Sequence, residues 1–166
     1  WLVVLAVWAV AALVLLARAH GLAASTPLLG DTDDAMRLVQ AMDLSAGQPW
    51  QDLTQHRDNA PFGASMHWSR LVDAPLAVLM VAATPLFGAA APDVAAMAWP
   101  LLLLLGLLVL SAALVRKLVP EADMATGLML PLLNLVLIVE FLPGRVDHHG
   151  VQILLSGATQ HQAGGH

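Results

Sequence analysis

The amino-acid sequence predicts an all-α fold of polytopic membrane helices: about three spans plus the start of a fourth, joined by a long external loop that contains short amphipathic helices. The first observation is composition. Of 166 residues, 58% are hydrophobic and 11% are charged, whereas a soluble domain carries about 25% charged residues. The second is that the apolar residues gather in long runs, and the third is that the acidic clusters flank these runs.

The charge balance and the lack of cysteine exclude several classes of protein. Twelve acidic residues stand against seven Lys and Arg, giving a formal net charge of −5, so nothing indicates nucleic-acid binding. Because the sequence has no cysteine, disulfides and thiolate metal sites are excluded.

Residues 1–17 form an unbroken apolar run, at the lower length limit for crossing a bilayer core of about 30 Å. A signal peptide is the alternative, but no basic segment precedes the run and Ala19-His20-Gly21 is a poor cleavage site. We therefore predict a first membrane helix. The sequence begins at Trp1 inside this run, so we expect it to be the N-terminal fragment of a longer chain.

Residues 18–93 are predicted to be an external loop with amphipathic and interfacial helices. The part up to residue 73 holds seven aspartates. Asp31 or Thr32 is suited to N-cap a helix that Gly47 ends. Apolar residues recur in this helix at the spacing of a single stripe, namely Ala35, Leu38, Val39 and Met42.

Three further segments are apolar. Residues 94–115 predict the second membrane helix and 122–142 the third, although Pro131, Asn134 and Glu140 lie inside the latter. Residues 143–150 are then an external loop, and 151–166 are the start of a truncated helix or a frayed end. Residues 74–91 are interrupted by Pro75 and Pro85, which leaves about 10–12 residues for a span.

Whether residues 74–91 cross the membrane decides which face each acidic cluster occupies. If they cross, the two clusters lie on opposite faces. If they lie in the interface or dip back, both clusters share one face and Arg116-Lys117 lies on the other. The prolines favour the shared face, and the positive-inside tendency then places both clusters outside.

The first cluster, GDTDD at 30–34, places three carboxylates within four residues. Hard divalent cations such as Mg²⁺ or Mn²⁺ take oxygen ligands, so a metal site is one interpretation. Simple helix capping and solvation is the other.

The second cluster, RVDHHG at 145–150, follows one apolar segment and precedes another. In an extended or turn backbone, Asp147 and His149 point the same way and offer a carboxylate and an imidazole to a metal, while His148 points elsewhere. Polar residues that end a helix are the alternative. Soluble phosphoesterases with a DHH motif need an α/β domain for which this chain has no room.

Other polar residues have two interpretations each. Arg70 could bind a phosphate or pair with Asp73, and Trp68 could anchor at the membrane interface beside His67. Glu140 lies in an apolar segment, where ionisable groups are often functional. It is also close enough to the segment end to reach the interface.

These motifs resemble the catalytic subunit of oligosaccharyltransferases and the wider GT-C class of membrane glycosyltransferases. VDHHGVQ at 146–152 looks like the second external acidic motif of that family, which is DHH in archaeal members. GDTDDAMRLVQ at 30–40 looks like the first. An external-loop helix that does not cross the membrane is also a family feature, and residues 74–91 fit it.

The resemblance implies a metal-dependent transfer of a sugar or oligosaccharide from a polyprenyl-phosphate or polyprenyl-pyrophosphate donor to an acceptor, at the outer face of a bacterial plasma membrane. Counting back from Ala46-Gly47 makes Asp33 the first choice for the catalytic, metal-binding aspartate, with Asp31 and Asp34 second. The same comparison assigns Asp147 and His149 as ligands. Arg70 and His67 are candidates for lipid-phosphate contacts. A divalent-ion transporter, a membrane metal-binding protein and a non-catalytic remnant are the alternatives.

Overall fold

The computed structural model describes residues 1–22, 28–119, 121 and 123–163. This part of the chain is mostly helical, which confirms the all-α prediction. Its helices are α1 (Leu2–Leu22), α2 (Thr32–Ser45), α3 (Arg70–Phe87), α4 (Ala91–Leu118), α5 (Met124–Leu133), α6 (Leu135–Val139) and α7 (His149–Ala163). A 3₁₀ turn (Gly88–Ala90) joins α3 to α4, and two short antiparallel strands, β1 (Thr54–Gln55) and β2 (Ala64–Ser65), pair between α2 and α3.

Helix α4 is the axis of a bundle that also contains α1, α5 and α7. The indole N–H of Trp8 donates to the carbonyl of Leu101 at 2.8 Å, and the guanidinium of Arg116 lies 5.0 Å from the ring centre of Trp1. These contacts make α1 antiparallel to α4. The core of this bundle joins buried apolar residues of α1, α4 and α5 to Phe141.

Glycine permits one of the closest contacts in the bundle. A Cβ atom on Gly127 of α5 would lie 2.7 Å from Cγ2 of Val115. Helix α5 therefore starts beside the end of α4 that carries Arg116. The chain from α5 through α6 leads back toward the opposite end, where Gly144 donates its N–H to the carbonyl of Ala96 at 3.1 Å.

A second apolar cluster joins α2, α3 and the first turns of α4. It consists of Leu38, Ala41, Leu76, Ala77, Met80, Ala95, Ala96 and Val146, and Trp99 packs against both this cluster and the bundle core. The two clusters are therefore consecutive along α4. Helices α2 and α3 lie at the end of the bundle where α4 begins, which we call the motif end.

Helix α2 has the predicted start and end but a different buried face. Asp31 is its N-cap, and Gly47 follows its last turn with φ +102°. Of the predicted apolar stripe, Leu38 is buried, Ala35 and Val39 are half-buried and Met42 is exposed, whereas the neighbouring Asp34, Arg37, Gln40 and Ala41 are buried. Polar partners on α3 and on the loop after α6 draw this face inward.

Helix α3 is longer than the sequence predicts. It continues through Pro75 and Pro85 for 18 residues, although each proline lacks the N–H of one helical hydrogen bond. Its buried side chains contact α2 and the first turns of α4. Helix α3 therefore lies at the motif end, as expected for a helix that does not run through the bundle.

The continuous third span predicted for residues 122–142 is corrected by the structure, and Ala122 itself lies outside the described residues. The segment divides into α5 and α6 at Asn134, whose backbone is extended with ψ 99°. The side-chain oxygen of Asn134 accepts the N–H groups of Val136 and Leu137, so it caps α6. The helix is therefore broken into pieces of ten and five residues, but the segment still leads from the end of α4 near Val115 back to Ala96.

Within the described residues, two helical stretches are long and apolar enough to cross a membrane. They are Leu2–Gly21 and a stretch inside Arg70–Leu118. Helix α7 begins at His149, two residues before the predicted point, and continues to Ala163. Residues 164–166, which the prediction also included, lie outside the described residues.

Candidate functional site

The two acidic motifs meet at the motif end of the bundle. Asp34, at the start of α2, is fully buried. Its Oδ1 accepts the backbone N–H of Val146 at 2.8 Å and that of Asp147 at 3.1 Å. Residues more than 110 positions apart are thus joined directly, as the shared-face arrangement requires.

Arg145 lies at the centre of this junction and bridges four carboxylates. Its Nη1 is 2.5 Å from Oδ2 of Asp31 and 3.0 Å from Oδ2 of Asp34. Its Nη2 is 3.1 Å from Oε2 of Glu140 and 2.9 Å from Oδ2 of Asp147. We call Arg145 and these four acidic residues the arginine centre.

The backbone around Arg145 is held by short contacts. Gly144 has φ +96°, and a Cβ atom there would lie 2.0 Å from the carbonyl oxygen of Leu28, so only glycine fits. The N–H of Arg145 donates to the carbonyl of Leu142 at 2.9 Å. The loop after α6 is therefore fixed between α4 and the segment that leads into α2.

Burial and hydrogen bonding act differently on the charged groups of the arginine centre. The backbone N–H of Asp34 is the largest factor that lowers the pKa of Asp31, and Arg145 acts in the same direction. Burial raises the pKa of Asp34 despite the N–H that Val146 donates to it. Burial alone would lower the pKa of Arg145, but its hydrogen bonds to Asp31 and Glu140 outweigh this and raise it.

Asp147 and His149 lie together at the start of α7. Oδ1 of Asp147 accepts the backbone N–H of His149 at 2.9 Å, a turn contact directly before α7. Nε2 of His149 is 3.9 Å from Oδ2 of Asp147. The imidazole of His149 is half exposed and its centre is 4.4 Å from that of the His148 ring.

Asp33 occupies a different position from the one the resemblance implies. Its side chain is exposed, and its backbone N–H donates to Oδ1 of Asp31 at 3.0 Å. The contacts with the second motif are made by Asp31 and Asp34. The role of Asp33 remains a prediction.

The prediction missed the central position of Arg145, although this residue opens the RVDHHG motif. Two features of the sequence could have identified it. Arg145 is the single cation beside the DHH sequence, and an acidic residue, Glu140, precedes it in an apolar segment. The predicted interpretation of Glu140 as a functional group is compatible with its contact to Arg145.

Arg70 pairs with Asp73 at 3.3 Å, which is the second of its two predicted interpretations. The guanidinium of Arg70 also donates to Oε1 of Gln48 at 2.9 Å and to the carbonyl of Asp52. Because Arg70 is buried, a lipid phosphate would have to displace these partners. His67 is exposed and lies edge-on to Trp68.

The arrangement does not fit a bound divalent metal. In the described part of the chain, no group of three or more His, Asp or Glu side chains is placed to hold a metal ion. Of the four carboxylates that the sequence suggested, those of Asp31, Asp34 and Asp147 surround the guanidinium of Arg145 instead. Within the described residues, Asp33, Asp147 and His149, the predicted shell, do not form a group that could hold a metal ion.

An open groove of about 560 Å³ runs beside the arginine centre between α4 and α7. Glu140, His149 and Gln152 contribute polar groups, and Leu107 and Ile153 contribute apolar side chains. The groove therefore begins at the DHH motif and continues along the bundle.

The chain matches no family model, no curated protein and no solved structure.

Proposed function

We propose that the chain belongs to a membrane glycosyltransferase of GT-C type, similar to oligosaccharyltransferases. It transfers a sugar or oligosaccharide from a polyprenyl-phosphate or polyprenyl-pyrophosphate donor to an acceptor. The observation that carries this proposal is the direct contact of Asp34 in GDTDD with the backbone of Val146 and Asp147 in RVDHHG. Two acidic motifs joined at one end of a helical bundle suit a site at a membrane surface.

The distribution of apolar side chains supports insertion of the bundle into a membrane. Large apolar side chains on α1 and on α5 and α6 are exposed, and lipid would cover them. They include Leu2, Val10, Leu13, Leu130, Leu133, Leu135 and Val136. In this proposal the membrane is the bacterial inner membrane.

The orientation follows from the positions of the charged groups. Arg116 and Lys117 end α4 opposite the motif end, and short basic segments tend to be cytoplasmic. The arginine centre then faces the periplasm or exterior. This is the side on which both motifs are expected if α3 does not cross.

The α4–α7 groove is the proposed position of the donor. Its apolar residues Leu107 and Ile153 suit a polyprenyl chain, and its polar end near Glu140 and His149 leads to the arginine centre. A lipid-linked substrate needs such a combination of an apolar path and a polar end.

In the proposed reaction, the acceptor oxygen or nitrogen forms a bond to the anomeric carbon of the sugar. The bond between that carbon and the phosphate oxygen breaks, and its electron pair leaves with the lipid phosphate. The acceptor proton passes to a carboxylate, for which Asp147 and Asp33 are the candidates. The expected Mg²⁺ or Mn²⁺ has no step in this scheme, because the arginine centre does not fit it.

The test is transfer from a polyprenyl-phosphate sugar by membranes that contain the intact protein. We expect Asp33→Ala and Asp147→Ala each to abolish transfer while the protein still inserts into the membrane. Asp58→Ala, a change of an exposed loop aspartate, is the matched control and should leave transfer unchanged. Retained transfer in both site variants would contradict the proposal.

A divalent-ion transporter is the alternative from another class. It would need carboxylates near the bilayer midplane that are free to bind an ion, whereas the carboxylates of the arginine centre contact the guanidinium of Arg145. A non-catalytic remnant predicts that neither variant changes any transfer activity. The same assay therefore separates the remnant from the enzyme.

A further inference from the structure

We propose that Arg145 is the resident cation of the arginine centre and occupies the position that a divalent metal would take. In this view the two motifs are joined by a guanidinium, without a metal. Each Nη group of Arg145 contacts two carboxylates, and the four distances lie between 2.5 and 3.1 Å. A planar guanidinium with five N–H donors is suited to such paired contacts.

Three of the four carboxylates divide their oxygens in the same way. Oδ2 of Asp31, Asp34 and Asp147 contacts Arg145. Their Oδ1 atoms all accept backbone N–H groups: Asp31 those of residues 33 and 34, Asp34 those of residues 146 and 147, and Asp147 that of His149.

This division leaves little for a metal to bind. Mg²⁺ takes oxygen ligands at about 2.0–2.1 Å in octahedral geometry, so a metal among these carboxylates would have to displace the guanidinium. Alternatively, it would have to displace the backbone N–H groups that these Oδ1 atoms accept. The first change leaves the guanidinium without its carboxylates, and the second removes the N-cap of α2 and the contacts that hold the loop before α7.

Arg145 also has little freedom to leave. Its side chain is only 16% exposed. The backbone is held on one side by the Gly144 N–H on the Ala96 carbonyl and on the other by the Val146 N–H on Asp34. The cation is therefore built into the loop that carries the DHH motif.

If the proposed glycosyl transfer is correct, the positive charge beside the donor phosphate is that of Arg145 and not of a metal. This role of Arg145 rests on the proposed function. The contact between the motifs does not depend on transfer. The experiment therefore measures metal binding and stability, so that its failure is distinguishable from failure of the transfer assay.

The experiment compares wild-type protein, Arg145→Gln and Arg145→Lys, each purified in detergent. Thermal unfolding is followed with EDTA and with millimolar Mn²⁺, and Mn²⁺ binding is titrated by electron paramagnetic resonance. Arg57→Gln is the matched control, because Arg57 pairs with one carboxylate, Asp43, at an exposed position.

For wild-type protein we expect an unfolding midpoint that neither EDTA nor Mn²⁺ shifts, and no saturable Mn²⁺ binding. Arg145→Gln should lower the midpoint by roughly 5 °C or more, because it leaves several carboxylates close together without their counter-charge. Mn²⁺ should then bind this variant saturably and restore part of the loss, because the carboxylates that surrounded Arg145 become free for a hard cation. Arg57→Gln should change none of these properties.

Saturable Mn²⁺ binding to wild-type protein, together with a lower midpoint in EDTA, would overturn the proposal. So would an Arg145→Gln variant that unfolds at the wild-type temperature, or one that Mn²⁺ does not stabilise. If Arg145→Gln does not fold, Arg145→Lys decides the question, because lysine keeps the positive charge but lacks the paired N–H donors of the guanidinium. This variant should have a lower midpoint that EDTA does not change, and an effect of EDTA would contradict the inference.

Discussion

Asp33 and Asp34 are adjacent in the sequence but have different surroundings on α2. Asp34 lies on the buried face with Leu38 and Ala41, at positions i, i+4 and i+7. Asp33 lies on the exposed face. The sequence predicts an acidic helix start and leaves Asp31 and Thr32 as N-cap candidates, of which Asp31 is the N-cap. The choice between Asp33 and Asp34 depends on how α2 is rotated, which packing against α3 decides.

This difference predicts unequal effects of two conservative changes. Asp34→Asn should lower the free energy of unfolding by roughly 2–4 kcal/mol, because the amide cannot pair with Arg145 and presents an N–H group to it. Asp33→Asn should change it by about 0.5 kcal/mol or less, as for other exposed substitutions. Thermal unfolding of the two variants in the same detergent checks both values.

Equal destabilisation by the two changes would contradict the rotation of α2. A larger effect of Asp33→Asn would indicate that Asp33 faces the second motif, as the resemblance to oligosaccharyltransferases implies.

At the scale of helices, α2 and α3 are joined by a buried ionic network. Oδ1 of Asp73 is 2.6 Å from Nη1 of Arg37, and its Oδ2 is 3.3 Å from Nη1 of Arg70. All three side chains are buried, and the guanidinium of Arg37 stacks 4.5 Å from the ring centre of Trp68. The network explains why polar residues of α2 face inward, a reversal that an apolar stripe cannot predict.

Removing the shared carboxylate should therefore be costly. Asp73→Asn leaves two buried guanidinium groups without a counter-charge and should lower the free energy of unfolding by about 3–5 kcal/mol. Asp43→Asn is the matched control: it removes the carboxylate paired with Arg57 on the surface and should cost about 1 kcal/mol or less.

Chemical or thermal unfolding of these two variants gives the comparison. Similar losses in both would mean that the Arg37–Asp73–Arg70 contacts contribute no more than an exposed ion pair.

The division between α5 and α6 illustrates another limit of sequence patterns. Pro131 and Asn134 are visible in the apolar run, but proline and asparagine also occur within membrane helices. The break arises because the side chain of Asn134 caps the following helix while the chain turns to bring Glu140 to Arg145. Both contacts depend on the folded arrangement.

At the scale of the whole molecule, we propose that both motifs lie on one side of the membrane and the end of α4 on the other. The sequence leaves this open, because it depends on whether residues 74–91 cross the membrane. The contacts of Asp34 with Val146 and Asp147 bring the motifs together, and Arg116 lies near Trp1 at the opposite end of the bundle. Tertiary contacts supply what hydropathy alone does not.

Labelling of single cysteines in intact cells tests this central claim most directly, because the chain contains no cysteine of its own. The variants are Thr32→Cys and His149→Cys, both at exposed positions of the motif end, and Leu118→Cys, exposed at the far end of α4. A membrane-impermeant maleimide should label the first two from outside the inner membrane and label Leu118→Cys only after the membrane is opened. Labelling of Thr32→Cys and His149→Cys from opposite sides would contradict the account.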